Sequence, residues 1–326
     1  MHDFTVLVLA RAYGSSVAVT LDVLDAAAAL APRLKMPKPT WRVMSPGGGR
    51  VPLGNGLQLE AAAMPRRSRT DSSTWIIPGL GMDSPAALAD RLGEDDARRA
   101  IASVRQHGAR GGAVAASCSA VFLLQAAGLL PGRRVTTSWW LAPQLRRIEP
   151  GCIVDADRMV CADGPVSTAG AAFAQADLML HLLRTRFGLA LADAVGKVLV
   201  IDGRQAQAPF VVPSMLSNGN ELIRRLTRRI ESSLPRPPSV AALADEFAMS
   251  PRTLARHVRT ATGQGALALV QSVRLSRARM LIETSRMTIE QVAAQVGYED
   301  ATALRRLMRK AAGAAPSQFR SGLHAA

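Results

Sequence analysis

The chain has 326 residues, 48% hydrophobic and 20% charged, which excludes global disorder and suggests two domains at roughly 100–200 residues each. Its 40 Lys and Arg oppose 25 Asp and Glu, a formal charge of +15 that points to a polyanionic partner, nucleic acid before a membrane surface. Aromatic residues make up 4%, too few for an RNA reader that stacks bases, and Cys118, Cys152 and Cys161 can neither all pair nor supply metal-ligand spacing. No run of about 18 uninterrupted apolar residues occurs, so no membrane span is expected, and with that cysteine spacing no metal is expected, nor any cofactor. A reducing cytoplasm fits.

In chain order, Phe4–Ala10, Trp41–Ser45, Thr74–Pro78 and Gly112–Ser117 are short apolar runs bounded by Gly or Pro. Such runs suit strands of a parallel sheet buried on both faces. Phe4–Ala10 has no basic segment before it and no clear cleavage site, and reads as a first strand and not a signal peptide. Helical patterns fall at Val17–Leu30, Ser84–His107 in two pieces, and Ser119–Leu129. Later strands are expected at Val135–Trp140 and within Cys152–Ala162, the latter as a hairpin turning at Ala156-Asp157. Helix returns at Ala171–Arg186 and Leu191–Val200. The order implies a doubly wound α/β sandwich over residues 1–200. Residues 201–219 lack periodicity and read as a linker.

Residues 220–326 read as helical, with 17 Lys and Arg against 8 Asp and Glu. Ser239 caps a helix with an apolar stripe at Val240, Leu243, Ala244 and Phe247. After a turn at Met249-Ser250, Ser250 and Pro251 start a second helix burying Leu254, Val258 and Ala261, closed by Gly263. Arg252, Thr253, Arg256, His257 and Arg259 lie on its other side. The arrangement recurs about 49 residues later. Thr288 and Gln291 form a capping box, Ile289, Val292, Ala293 and Val296 repeat the stripe, and Gly297–Asp300 make the turn. The next helix buries Leu304, Leu307, Met308 and Ala311, presents Thr302, Arg305, Arg306 and Arg309, and ends at Gly313 and Pro316.

Each half reads as a helix-turn-helix whose second helix suits a DNA major groove. Arginine forks match guanine and phosphate oxygens, and Thr matches a thymine methyl or a base edge. Between them Gly265–Glu283 reads as an amphipathic helix built on Leu269, Val273, Met280 and Leu281. At about 1.5 Å per residue it spans a little under 30 Å, comparable to the roughly 34 Å between grooves on one DNA face. The stretches LADEFAMSPRTLARHVRTATG (243–263) and VRLSRARMLIETSRMTIEQVAAQVGYEDATALRRLMRKAAGAAPSQFR (273–320) resemble the AraC/XylS family. The resemblance implies sequence-specific binding of double-stranded promoter DNA. Departures at His257-Val258 and Arg305–Leu307 bear on which bases are read.

In GAVAASCSAVFLLQAAGL (112–129), Cys118 sits at a sharp turn between strand and helix. There it is either a nucleophile whose thiolate helix amides stabilise, or a small buried residue at a tight crossing. LDVLDAA (21–27), IIPGLG (76–81), AGLLPGRRVTTSWW (127–140) and DGPVSTAG (163–170) resemble the PfpI-type branch of the class I glutamine-amidotransferase-like superfamily. The whole chain resembles regulators of the GlxA type, which join such a domain to an AraC-type one. In those relatives a His usually precedes the Trp of the stretch written here TTSWW, where this chain has Ser138. The acidic residue that ends the LD-x-x-GP-x-E stretch is replaced at about Ala28. The histidines are His2, His107, His181, His257 and His324, and none closely follows Cys118.

The expectation is a transcription regulator, with a non-catalytic amidase-like domain that binds a small metabolite or dimerises. Asp22, Cys118, Ser119, Ser138, Trp139 and Trp140 are the candidate lining. The paired tryptophans suit an amine or betaine, or an amino acid, through cation–π contact, unless one of them is simply core. A homodimer is expected. The second reading is a cysteine-dependent amidase or glyoxalase-like enzyme fused to a DNA-binding domain.

Overall fold

In the computed structural model the described residues are 2–65, 71–82, 84–201 and 220–312. β1 (Phe4–Leu7) runs beside β2 (Trp41–Ser45), and both are parallel to β5 (Thr74–Ile77), β6 (Val114–Ser117) and β10 (Val166–Ala169). With β3 (Gly49–Pro52), β4 (Gln58–Ala63) and β9 (Val160–Asp163) they form, among the described residues, an eight-stranded sheet ordered β3-β4-β2-β1-β5-β6-β10-β9. The β3–β4 and β9–β10 pairs are antiparallel, so both rims break the parallel pattern. Side chains alternate across the sheet: Val6 and Val8 face one core, Leu7 and Leu9 the other. The first core is covered by α1 (Gly14–Leu30), α6 (Ala174–Phe187) and α7 (Leu189–Val198). The second is covered by α2 (Pro85–Leu92), α3 (Asp95–Ala109), α4 (Val121–Ala126) and α5 (Ala142–Ile148). The flavodoxin-like α/β sandwich is therefore present, and the strand order reverses direction at β1 and β5.

Two expectations are corrected here. Val135–Trp140 is a strand only at its start, as β7 (Arg134–Val135), because hydroxyls then take the partners a ladder would use. The Thr136 amide donates to Thr168 Oγ1 at 2.8 Å, and Thr136 Oγ1 donates to the Arg158 carbonyl at 3.0 Å. Ala156-Asp157 is not a hairpin turn: β8 (Ile153–Val154) pairs with β7, and β9 turns into β10 through Gly164, whose φ is +59°. Gly14–Leu34 meets the length and composition criterion for a span, with a mean hydropathy of 1.4. Half of it is buried, however, and Val17, Val23, Leu24 and Ala27 pack in the core against the sheet, α6 and α7.

The chain divides into two units, Met1–Gln205 and Ala206–Ala326. All of the expected linker except Ile201 lies outside the described residues. The second unit contains α8 (Glu221–Ser232), α9 (Val240–Glu246), α10 (Pro251–Thr262), α11 (Ala266–Thr284), α12 (Ile289–Gln295) and α13 (Ala301–Ala312). Its caps follow the sequence. Ser239 accepts from the Ala242 amide and Ser250 from the Thr253 amide, each at 3.1 Å. The Thr288–Gln291 capping box is closed in both directions. Asp300 accepts from the Ala303 amide at 2.8 Å and caps α13. Gly313 and Pro316 fall outside the described residues.

Burial departs from the expected stripes in detail. Ala261 and Leu307 are only partly buried, whereas Thr262 is buried and bonds back to the Val258 carbonyl at 2.8 Å. The side chain of Ala311 lies outside those described. α11 is not amphipathic along its length. Its first half buries Ala266, Leu269, Val270 and Val273; its second half buries Ala278 and Ile282, and Met280 is exposed. At 3.6 residues per turn the two buried faces are about 150° apart round the helix. One helix thus serves two small cores, packing against α8 and α10 with one half and α12 and α13 with the other.

The two helix-turn-helix turns use the left-handed region at equivalent places, Ala248 with φ +53° and Gly297 with φ +79°. A Cβ costs about 1–2 kcal/mol in that region. Ala248→Gly is expected to stabilise the second unit by about 1 kcal/mol, measured as a rise in its thermal unfolding midpoint. Gly297→Ala is expected to lower it, since the added carbon would stand 2.0 Å from the Pro235 carbonyl oxygen.

Candidate functional site

Cys118 directly follows β6, next to the point where the strand order reverses, the usual ligand crevice of an open α/β sheet. Its backbone is left-handed, φ +55°, and its amide donates to the Gly170 carbonyl at 2.7 Å. A cysteine in that region is strained, so the turn is held by its surroundings. Thr137 Oγ1 donates to the Cys118 carbonyl at 2.7 Å, and Ser138 Oγ donates to the sulfur at 3.0 Å. The Leu80 amide donates to Ser119 Oγ at 3.0 Å. Gly79 faces the thiol so closely that a Cβ there would lie 3.0 Å from Cys118 Cβ, and its carbonyl accepts from the Tyr13 amide at the start of α1.

The thiol is fully buried, and burial pushes its pKa up, with hydrogen bonds from Ser138 and at Ser119 opposing that rise. The thiolate that a helix N-terminus favours is therefore disfavoured here. None of the described histidines hydrogen-bonds to Cys118. His107 lies beyond the other end of β6, stacked on Trp75 with ring centroids 4.6 Å apart and a ring nitrogen 3.1 Å from the Ala113 carbonyl oxygen. Burial lowers its pKa, as it does that of His181 on α6. Neutral His107 is the form the fold favours, so its share of stability is present above pH 6.5 and fades as the pH falls below that value.

Among the expected ligand contacts, Cys118, Ser119 and Ser138 come together, all buried, with Trp139 6% exposed beside them. Trp140 is half-buried and meets Trp139 edge-on, centroids 5.1 Å apart. Asp22 is not among them; it sits on the exposed side of α1. Sequence reasoning left out Tyr13, Gly79 and Thr137. Gly79 and Thr137 stand in stretches that carried the family likeness, but their contacts depend on the folded loops. A separate open groove of about 400 Å³ lies between α6 and α7, lined by Leu180, Arg184, Asp193, Lys197 and Ile201 among others.

In the second unit Arg252, Arg256, His257 and Arg259 on α10 are exposed, while Leu254 and Val258 turn inward. Thr253 is partly buried and its hydroxyl is engaged 2.9 Å from Ser250 Oγ, so it serves the cap. Thr302, Arg305, Arg306 and Arg309 on α13 are all exposed. Arg305 Nη2 bonds to Glu290 of α12 at 2.7 Å. Both partners face solvent, where an ion pair contributes little and a phosphate competes readily.

Residues 243–322 match the family model described as a helix-turn-helix domain, and residues 68–185 match the DJ-1/PfpI family. The chain joins a DJ-1/PfpI domain to an AraC-type helix-turn-helix domain. It is similar to the HTH-type transcriptional regulator GlxA of Rhizobium meliloti (strain 1021), 28% identical over 267 residues, 80% of this chain and 79% of that protein. It is also similar to the HTH-type transcriptional regulator CdhR of Pseudomonas aeruginosa, 24% identical over 286 residues, 87% of this chain and 82% of that one. A THiJ/PfpI family protein of known structure from Pseudomonas syringae shares the fold, with a TM-score of 0.51, 17% identity, and coverage of 83% of this chain and 91% of that one.

Because the Cys118 thiol is shielded and its ionisation opposed, alkylation of the native protein at pH 8 should leave it unmodified while partly exposed Cys152 reacts first. Peptide mass spectrometry after timed iodoacetamide treatment reads this directly. Faster labelling at Cys118 than at Cys152 would show an open, activated elbow instead.

Proposed function

We propose that the protein is a DNA-binding transcription regulator in which the two cationic helices α10 and α13 read promoter DNA, and the DJ-1/PfpI domain senses a small molecule without turning it over. The observation that carries the reading is the duplication: two capped helix-turn-helix units about 49 residues apart, each turning its arginines outward. Arg256, Arg305, Arg306 and Arg309 suit guanine edges and phosphates, and Arg252, His257 and Arg259 extend the same cationic surface. Such a protein works beside the chromosome, in the cytoplasm.

The effector is proposed to bind at the crevice around Cys118, with Ser119 and Ser138 as polar contacts and the Trp139–Trp140 pair facing a cationic headgroup. Because Cys118 and Ser138 are closed off from solvent, entry requires the 136–140 loop to move. That coupling of ligand to loop is the means by which an effector favours one state over another. The domain is also proposed to dimerise. A burial-raised thiol whose hydroxyl neighbour, Ser138, is no general base near neutral pH supports the non-enzymatic reading. The retained strained elbow is what favours the enzyme alternative; turnover of glyoxals or amides that Cys118→Ala abolishes would establish it.

Arg256→Ala and Arg305→Ala are each expected to weaken binding to a cognate operator about tenfold to a hundredfold, with thermal unfolding little changed. Operators are first located by footprinting upstream of the protein's own and adjacent genes. Binding of the parent protein should fall steeply between 50 and 200 mM salt, as counterion release requires. Unchanged affinity in both variants would remove the recognition-helix assignment. A thermal-shift screen with amines, betaines and amino acids tests the effector, because a specific ligand raises the unfolding midpoint by mass action.

A further inference from the structure

Four contacts join the two helix-turn-helix units beyond the continuity of α11. Arg274, where the buried face of α11 changes sides, sends Nε to the Val296 carbonyl at 2.8 Å and Nη2 to the Gly297 carbonyl. These acceptors end α12, where helix carbonyls lack partners of their own. The same guanidinium stacks 3.6 Å over the ring of Tyr298. From the other side, the loop between α8 and α9 closes on this turn. Gly297 fits only because it has no side chain, for a Cβ would lie 2.0 Å from the Pro235 oxygen and 3.2 Å from Pro237 Cδ. The loop, Leu234–Pro238, holds three prolines, whose fixed φ makes it stiff.

We infer that Arg274 and the Pro235–Gly297 contact lock the two helix-turn-helix units into one rigid reader, so that Arg274 is a positioning residue that sets the permitted spacing between two DNA half-sites. The inference rests on α10 and α13 being the groove-reading helices. Arg274 itself is partly buried and its guanidinium is occupied by the turn, so it is not counted among the DNA contacts. Removing it leaves α10 and α13 intact on their own small cores and frees their relative orientation. The phenol hydroxyl of Tyr298 is buried with no hydrogen-bond partner among the described residues, so the ring and not the hydroxyl serves the lock.

The test uses the full-length protein and a pool of random duplexes about 40 base pairs long. Parent protein should enrich two half-sites at one spacing, about one helical turn centre to centre. Inserting one base pair between the half-sites should weaken the parent about tenfold or more, on the scale of a lost base contact. Arg274→Ala should enrich the same half-site sequences with a spread of spacings, and the insertion should cost it less than about threefold. Tyr298→Phe should keep the parent's strictness, and Arg274→Lys, which keeps charge but loses the fork, should fall between. A parent that tolerates the insertion overturns the rigid reader, and does so even if Arg274→Ala fails to fold. An Arg274→Ala protein as strict as the parent removes Arg274 from the role. Enrichment of no duplex by the parent overturns the groove-reading assignment itself, a result distinct from loss of spacing control.

Discussion

A single helix with two buried faces is the constraint from which the second unit follows. α11 gives one side to α8 and α10 and nearly the opposite side to α12 and α13, so neither small core can form without it. Domains this small bury little apolar surface alone. Sharing a helix lets the two small cores stabilise one another and makes the rotation between them a property of the helical repeat. The Arg274 stack and the Pro235–Gly297 contact then close the remaining freedom at the turn.

The first unit is built on a different compromise. The parallel sheet brings the end of β6 beside the point of strand reversal and holds Cys118 in a left-handed conformation there. The hydroxyls of Thr137 and Ser138 meet that turn, one at its carbonyl and one at its sulfur. What the fold supplies at this place is a tightly packed polar knot in which burial disfavours the thiolate. A knot of this kind couples the 136–140 loop to the sheet, and a ligand that displaces one hydroxyl must rearrange the others.

Much of this was legible in the amino-acid pattern. Ser250-Pro251 and Gly263 mark both ends of α10, and Thr288 with Gln291 marks the start of α12, because capping acts within one helical turn. The outward arginines follow from the period of the helix. The strands β3 and β4 at one rim of the sheet are not legible in the sequence, because their Gly, Pro, Glu and Ala residues lack the β-branched signature that buried strands carry. Asp22 illustrates the opposite error: its place in a family-like stretch suggested a pocket, and its position on α1 turns it to solvent.

By itself, the order of residues determined the helices and their caps, the buried parallel strands, which helix sides carry charge, and that a cysteine occupies a strand-to-helix turn. These depend on neighbours a few positions apart. Only the tertiary structure decided that β8 pairs with β7, that α11 turns opposite faces to two cores, that Ser138 meets the Cys118 sulfur, and that Gly297 has no room for a side chain. Each of those joins residues brought together by packing, and separation along the chain carries no record of it.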